Sequence, residues 1–348
     1  MKSLVNKIKN WYNWPGYTFY FPISFMWIWF CIKSRSLWFF STSNPTLSFG
    51  GFEGESKHEM YLQLPQNYYP RTVYVQPKKH IDLVILRLQK CSILYPFIVK
   101  PEVGTEGILV RKIENEEQLR MYHKKIPVAY MIQDYVNYPL EVCIFYCRRP
   151  FKKEGEISGF ISKQPPVLKG DGVSTIKELL KENGEANTKE EVSKLHPDAV
   201  NKILTKGELF YLSVIGNRYH GSKFYDLSGF IDRELLTLFD KISLTNNFYY
   251  GRYDIKCLSV EDLKKGKNFS ILEFNGAGSI PNHVFAGKFT LMQAYREVII
   301  HWKILYEISN FNRKSGLPYW KFLKGYRYLK KTMMHYKTLR KYDKIIKY

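Results

Sequence analysis

The sequence predicts an α+β fold, and two observations carry that expectation. Beyond residue 56, short β-branched or aromatic runs alternate with polar helical stretches, the pattern of mixed sheet-and-helix architecture. The chain has 348 residues, 45% hydrophobic and 24% charged, enough for one large domain or two smaller ones with real cores.

Taken in order, strands are expected at Thr72–Val75, Phe97–Lys100, Ile108–Lys112, Ala129–Gln133, Glu141–Tyr146 and Ile157–Lys163. Later ones follow at Glu208–Val214, Arg252–Leu258 and Phe269–Phe274. Helices are expected around 56–64, 79–90, 115–124, 174–182, 197–203, 231–244 and 290–309. Asn44–Ser56 is Gly- and Ser-rich and reads as a linker or loop.

Both ends are unusual. The formal net charge is +21, of which residues 1–35 hold +5 and residues 319–348 hold +9, so the basic character points to an anionic partner at the termini. Asn10 to Ile32 runs for 23 residues without a formal charge. That is long enough to span a bilayer, but Pro15, Gly16 and Pro22 break it and its tryptophans favour the interface. An anchor lying in the membrane interface is therefore preferred over a span or a buried core segment. Basic residues flank both sides, and the bulky stretch Ser36–Phe40 offers no secretory cleavage site. In the tail, Phe322, Tyr326, Leu329, Met333, Tyr336 and Leu339 recur at helical spacing among Lys and Arg, an apolar stripe on a basic helix.

Five scattered cysteines include no C-x-x-C pair, which excludes a zinc-ribbon pattern and a disulfide framework and fits a reducing compartment. Cys143 and Cys147 share a strand face and read as small apolar packing.

The chemistry concentrates near the carboxyl end. Arg252-Tyr253-Asp254 is followed by Glu273-Phe274-Asn275-Gly276-Ala277-Gly278. Residues two apart on a strand share a face, so Asp254, Glu273 and Asn275 can converge from adjacent strands. Two carboxylates and an amide oxygen form a hard donor set suited to Mg²⁺. Arg252 projects to the same face, where it can neutralise a transferring phosphoryl group.

R-x-D followed by E-x-N resembles the metal-binding end of the ATP-grasp ligases, the family of D-alanine–D-alanine ligase, glutathione synthetase and the ATP-grasp part of cyanophycin synthetase. Lys169-Gly170-Asp171-Gly172-Val173-Ser174-Thr175 with Glu178 is similar to a stretch of the glutathione and cyanophycin branch, and Thr175-x-x-Glu178 forms a capping box there. The resemblance spans approximately residues 55 to 300. It implies two α/β subdomains clasping ATP, with Mg²⁺ on Asp254, Glu273 and Asn275, and Lys100 and Arg252 as catalytic charges. It implies nucleotide contacts from Lys57, Lys100, Lys163, the loop Gly104, Thr105 and Gly107, the hinge Gln133, Asp134, Tyr135 and Val136, and Glu141 on a ribose hydroxyl. Asn217 and Gly221 keep the family's pattern at the transfer site, with Arg218 and His220 facing substrate. Gly278, Ser279 and Asn282 grip the substrate or serve as turn residues.

The expected organisation is an aromatic membrane-associated segment over 1–45, an ATP-grasp domain over 46–310 and a basic amphipathic tail over 311–348. The expected function is ADP-forming ligation of a carboxylate to an amine through an acyl-phosphate, at the inner, cytoplasmic face of the cell membrane. A non-enzymatic protein binding an anionic membrane surface or nucleic acid is the alternative. The aromatic segment favours the membrane over nucleic acid as the partner of the basic tail.

Overall fold

A computed structural model describes residues 10–182, 200–212, 222–287 and 289–346. It is mixed α and β, with strands β1 (Thr72–Val75), β2 (Phe97–Pro101), β3 (Arg111–Ile113), β4 (Tyr130–Asp134), β5 (Leu140–Cys147) and β6 (Glu156–Gln164). These are followed by β7 (Val167–Lys169), β8 (Leu209–Tyr211), β9 (Lys223–Asp226), β10 (Tyr250–Cys257) and β11 (Phe269–Asn275). The chain divides into two compact units. The first comprises Met1–Pro70, Asn137–Ser162 and Phe224–Met334; the second comprises Arg71–Val136, Lys163–Lys223 and His335–Tyr348.

The second unit contains an antiparallel sheet in the order β1-β4-β2-β3. Alternate residues Val73, Val75, Phe97 and Val99 are buried, as period-2 patterning requires. Helices Ile81–Lys90 and Glu116–Lys125 add Val84, Leu88, Leu119 and Tyr122 to that core. The second helix starts where the Asn115 side chain accepts from Gln118 N at 3.0 Å, and it carries acids in its first turn and bases in its last. Both features suit the helix dipole. Strand β3 begins three residues later than expected, because Glu106 and Leu109 adopt left-handed φ values of 55° and 60°. The Leu109 N–H donates instead to the Asp343 carboxylate at 2.8 Å. A two-stranded antiparallel sheet of β7 and β8 packs with the helix Ile176–Glu182 around Leu168, Leu180 and Leu204. The capping box opens that helix as expected, Thr175 N donating to Glu178 at 2.8 Å and Glu178 N to Thr175 Oγ1 at 3.3 Å. The helix expected at 197–203 is not found in its described part: residues 200–203 are a turn and an isolated bridge from Ile203 to Thr175.

The first unit holds a sheet in the order β11-β10-β5-β6-β9. Helix Leu291–Lys314, closed at its start by a Thr290–Gln293 capping box, buries Ile304, Leu305 and Ile308 with Phe145, Cys147 and Tyr250. The stretch expected as a linker or loop, Asn44–Ser56, contains a short 3₁₀ turn at Ser48–Gly51 and is partly buried, as is the chain just before it. Phe39, Phe40, Phe49, Gly50 and Gly51 lie inside this core, and Asn44 is fully enclosed.

The uncharged amino-terminal segment divides its side chains between two environments. Trp11, Phe19 and Ile23 pack with Val284, Ala294 and Val298, and Phe30 joins the larger core. Tyr17 and Phe21, each 80% exposed, stand in solvent with Phe25, Ile28, Trp29 and Ile32. The helix here is Ser24–Ser34, and among the described residues no helix is long and apolar enough to cross a membrane.

The tail forms the helix Phe322–Asp343. Its expected apolar stripe divides: Tyr336 and Leu339 are buried in the second unit's core, while Phe322, Tyr326 and Met333 are exposed. The helix is therefore partly core and not a detachable appendage.

Candidate functional site

Strands β10 and β11 pair antiparallel, with Arg252 opposite Asn275 and Asp254 opposite Glu273. That register brings the two motifs into one cluster in the first unit. Arg252 Nη2 donates to Asp254 Oδ2 at 3.0 Å, and Asn275 Nδ2 approaches the same oxygen at 3.3 Å. The other carboxylate oxygen accepts from Cys143 Sγ at 2.7 Å. Cys143 lies opposite Asp254 on β5, so its thiol is a donor within the cluster and does more than fill space. Glu273 pairs with the buried Lys57 at 3.0 Å.

The amino-terminal segment shapes this cluster from below. Ser56 caps the helix Lys57–Tyr61 by accepting from His58 N and Glu59 N, which fixes where Lys57 emerges. The Tyr61 hydroxyl donates to the Leu272 carbonyl and ties that helix to β11. Asn44 satisfies four backbone groups: it donates to Gly50 O and Tyr250 O and accepts from Tyr249 N and Tyr250 N, all within 3.0 Å. Ala277 N and Gly278 N then donate to Gly50 O and Gly51 O at 3.0 Å. A Cβ on Gly278 would stand 1.9 Å from Phe52 O, so only glycine allows the backbone this close.

Charge compensation is nearly complete. Burial is the largest single influence on the Arg252 guanidinium and works against its cation, but the Asp254 charge and hydrogen bond, Cys143 and the Glu273 charge together raise its affinity for the proton. Burial pushes Glu55 up to about 7, helped by the neighbouring Glu273 charge and opposed by its own backbone hydrogen bond and Lys57. One donor is left over. Arg252 Nε is buried without a hydrogen-bond partner among the described residues, and an anionic oxygen would satisfy it. Asp254, Glu273 and the Asn275 side-chain oxygen offer the hard donors that Mg²⁺ takes. In chemistry, these residues fit a metal–phosphate pair.

Other expected residues fall elsewhere. In the second unit, Lys100 and Lys163 are both buried, on β2 and at the end of β6. Gln133 is buried on β4 and donates to Thr72 Oγ1 at 2.9 Å, while Asp134 pairs with Arg71 at 2.5 Å. Tyr135 stacks under Lys112 Nζ at 4.8 Å, and Val136 follows it in extended chain. Gly104, Thr105 and Gly107 lie in the turn between β2 and β3, with Gly107 at φ 77°. Glu141 belongs to the first unit, on β5 opposite Lys256. Ser279 donates to the Asn275 carbonyl, and Asn282 opens a 3₁₀ turn. Asn217, Arg218, His220 and Gly221 lie outside the described residues.

Sequence reasoning missed Asn44, Glu55, Tyr61 and the donor role of Cys143. Asn44 and Tyr61 act through backbone atoms 200 or more residues away, and neither periodicity nor a local motif marks such partners.

No protein-family model matches the chain, and no curated protein matches it in sequence. Among solved structures the chain is similar to a D-alanine–D-alanine ligase from Bacillus anthracis, at 12% identity and a TM-score of 0.43, over 75% of this chain and 69% of that one. It is also similar to a bifunctional glutathione synthetase from Pasteurella multocida, at 15% identity and a TM-score of 0.38, covering 70% of this chain and 35% of that one. A third likeness is to an ATP-grasp ligase complexed with a minimal precursor, at 11% identity and a TM-score of 0.39, over 71% of this chain and 60% of that one. The chain thus spans about a third of the synthetase's length and less than two thirds of the precursor-bound ligase.

Proposed function

We propose that this protein is an ATP- and Mg²⁺-dependent ligase of the ATP-grasp type, joining a carboxylate to an amine. The observation that carries the reading is the β10–β11 cluster: two carboxylates and an amide beside a half-buried arginine whose Nε is buried and unsatisfied among the described residues.

In this reading Asp254, Glu273 and Asn275 hold Mg²⁺, which supplies positive charge to phosphate oxygens. Arg252 Nε donates to a phosphoryl oxygen as charge develops there, and its salt bridge to Asp254 holds the guanidinium in place. Lys57 holds Glu273 in place through their salt bridge. Lys100 and Lys163 carry the charge for the remaining phosphates, with Gly104, Thr105 and Gly107 covering them. Gln133–Val136 and Glu141 read the nucleoside. The substrate carboxylate attacks the γ-phosphorus and ADP leaves; the amine then adds to the acyl-phosphate carbon, and inorganic phosphate departs with its bonding pair and takes up the proton that the amine nitrogen sheds. Asn217, Arg218, His220 and Gly221, with Gly278, Ser279 and Asn282, position the two substrates. Catalysis here is positioning and electrostatics, with no covalent enzyme nucleophile.

We also infer that the protein works at an anionic membrane surface on the cytoplasmic side. Six exposed apolar side chains between Tyr17 and Ile32, close to Lys33 and Arg35, support that reading. A cavity of about 860 Å³ lined by Trp27, Ile28, Ile32, Trp38, Tyr319 and Phe322 adds apolar surface to the same unit. Phe21→Glu with Phe25→Glu should abolish sedimentation with anionic liposomes while leaving ATP binding intact; unchanged sedimentation would remove the membrane reading.

Calorimetry of ATP with and without Mg²⁺ tests the central proposal. Wild type should bind ATP in a Mg²⁺-dependent manner, and Glu273→Ala with Asn275→Ala should weaken that binding by about 100-fold or more, because direct ligands are lost. A folded wild type that ignores ATP would overturn it.

A further inference from the structure

A second polar cluster lies in the first unit, made by residues from two separate elements. His283 sits in the 3₁₀ turn Asn282–Phe285; Glu297 and His301 are four apart on the helix Leu291–Lys314 and share its face. His283 Nε2 lies 3.2 Å from Glu297 Oε1, and His301 Nδ1 lies 3.5 Å from the same oxygen. One ligand atom from each residue lies within 4.8 Å of the others.

These distances suit a shared ion. Zinc bonds of about 2.0–2.2 Å to nitrogen and oxygen place neighbouring tetrahedral ligands about 3.3–3.6 Å apart. Two of the three edges, at 3.2 and 3.5 Å, are at or near that length, and the third is no longer than 4.8 Å. His301 Nδ1 also lies 2.9 Å from the Glu297 carbonyl, and Nε2 lies 2.9 Å from Ser158 Oγ; binding an ion through Nδ1 exchanges the carbonyl contact for the ion and puts the ring proton on Nε2, where Ser158 accepts it.

The surroundings are built to admit the two rings. A Cβ on Gly159 would stand 2.1 Å from His283 Nδ1, so β6 accommodates this imidazole only through glycine. That Nδ1 is buried with no hydrogen-bond partner among the described residues. His283 and His301 are buried, whereas the Glu297 side chain is 24% exposed and opens the cluster to solvent.

We propose that His283, Glu297 and His301 bind a divalent transition-metal ion of the zinc class, with water in the fourth position. Two imidazoles and one carboxylate select such an ion, whereas the all-oxygen set on β10 and β11 selects Mg²⁺. The ion pins the turn Asn282–Phe285 to the long helix. It thereby fixes the far end of the loop that leaves the Mg²⁺ ligands at Asn275.

The test uses the full chain, stripped with chelator and titrated with Zn²⁺ and Co²⁺ in the absence of nucleotide. One equivalent of Zn²⁺ should bind and raise the melting temperature, and Co²⁺ should give the intense visible bands of tetrahedral coordination. His283→Gln and Glu297→Gln should each weaken binding by about 100-fold or more, since loss of a ligand exceeds loss of a supporting contact. Glu273→Ala with Asn275→Ala should leave it unchanged, which keeps this result separate from the nucleotide site. Zn²⁺ ignored by a folded wild type, or held equally well by both His283→Gln and Glu297→Gln, would overturn the proposal. Loss confined to the Glu273 and Asn275 variant would overturn it too, by moving the ion to the strands.

Discussion

The first unit contains two polar clusters that solve the same problem differently. Around Asp254, charges are buried and mutually compensated: arginine, amide and thiol all donate to one carboxylate. Around Glu297, burial instead keeps His301 neutral, and a single partly exposed carboxylate carries the charge. Removing one partner from the first cluster strands an ion in the interior. Removing one from the second leaves side chains that packing still holds.

That difference orders the expected effects of substitution. Asp254→Ala should be the most damaging, costing about 3–5 kcal/mol in urea unfolding, because Arg252 loses its buried counter-ion. A loss below about 1 kcal/mol would mean the cluster is solvated and the comparison fails. Asn44→Ala should cost about 3 kcal/mol, since several enclosed backbone groups lose their partner at once. Chemical denaturation with a probe on the first unit would read it directly.

Glu55 gives the next effect, and it depends on pH. Its affinity for a proton is raised from the ordinary 4.5 to about 7 in the fold. The stability it contributes is therefore complete below about 4.5 and is lost as pH climbs through about 7. Unfolding midpoints of the wild type should decline across that window, and Glu55→Gln should flatten the decline. The smallest effect belongs to the second cluster. Without added metal, Glu297→Gln should change stability by less than about 1 kcal/mol, because an amide oxygen still accepts from His283. A larger loss would show that its charge matters to the bare fold as much as that of Asp254.

Much of the first cluster was legible in the sequence. Arg252 and Asp254, like Glu273 and Asn275, are two apart, and strand alternation alone puts each pair on one face. The lengths of the intervening helix and turns let the strands pair. The second cluster was not legible. Glu297 and His301 have helical spacing, but nothing local says that the turn at His283 comes back to them, or that Gly159 clears room for its ring.

The termini show the same limit. Composition identified an aromatic, uncharged beginning and a basic helical end. It did not separate Phe19, enclosed in the core, from Phe21 two residues on, which is 80% exposed. Nor did it show that Tyr336 and Leu339 belong to a core while Phe322 and Tyr326 do not.

By itself the sequence determined where most of the strands and helices form, because alternation, helical spacing, caps and glycines act over a few residues. It also determined which residues could share a strand face, and so the donor set on β10 and β11. Tertiary structure alone decided which of those polar groups are enclosed and what satisfies them. Asn44 on the Tyr249–Tyr250 backbone, Cys143 on Asp254 and His283 on Glu297 are contacts between distant stretches of chain. Such partners are fixed by packing and the need to satisfy buried polar atoms, and both act only once the chain has folded.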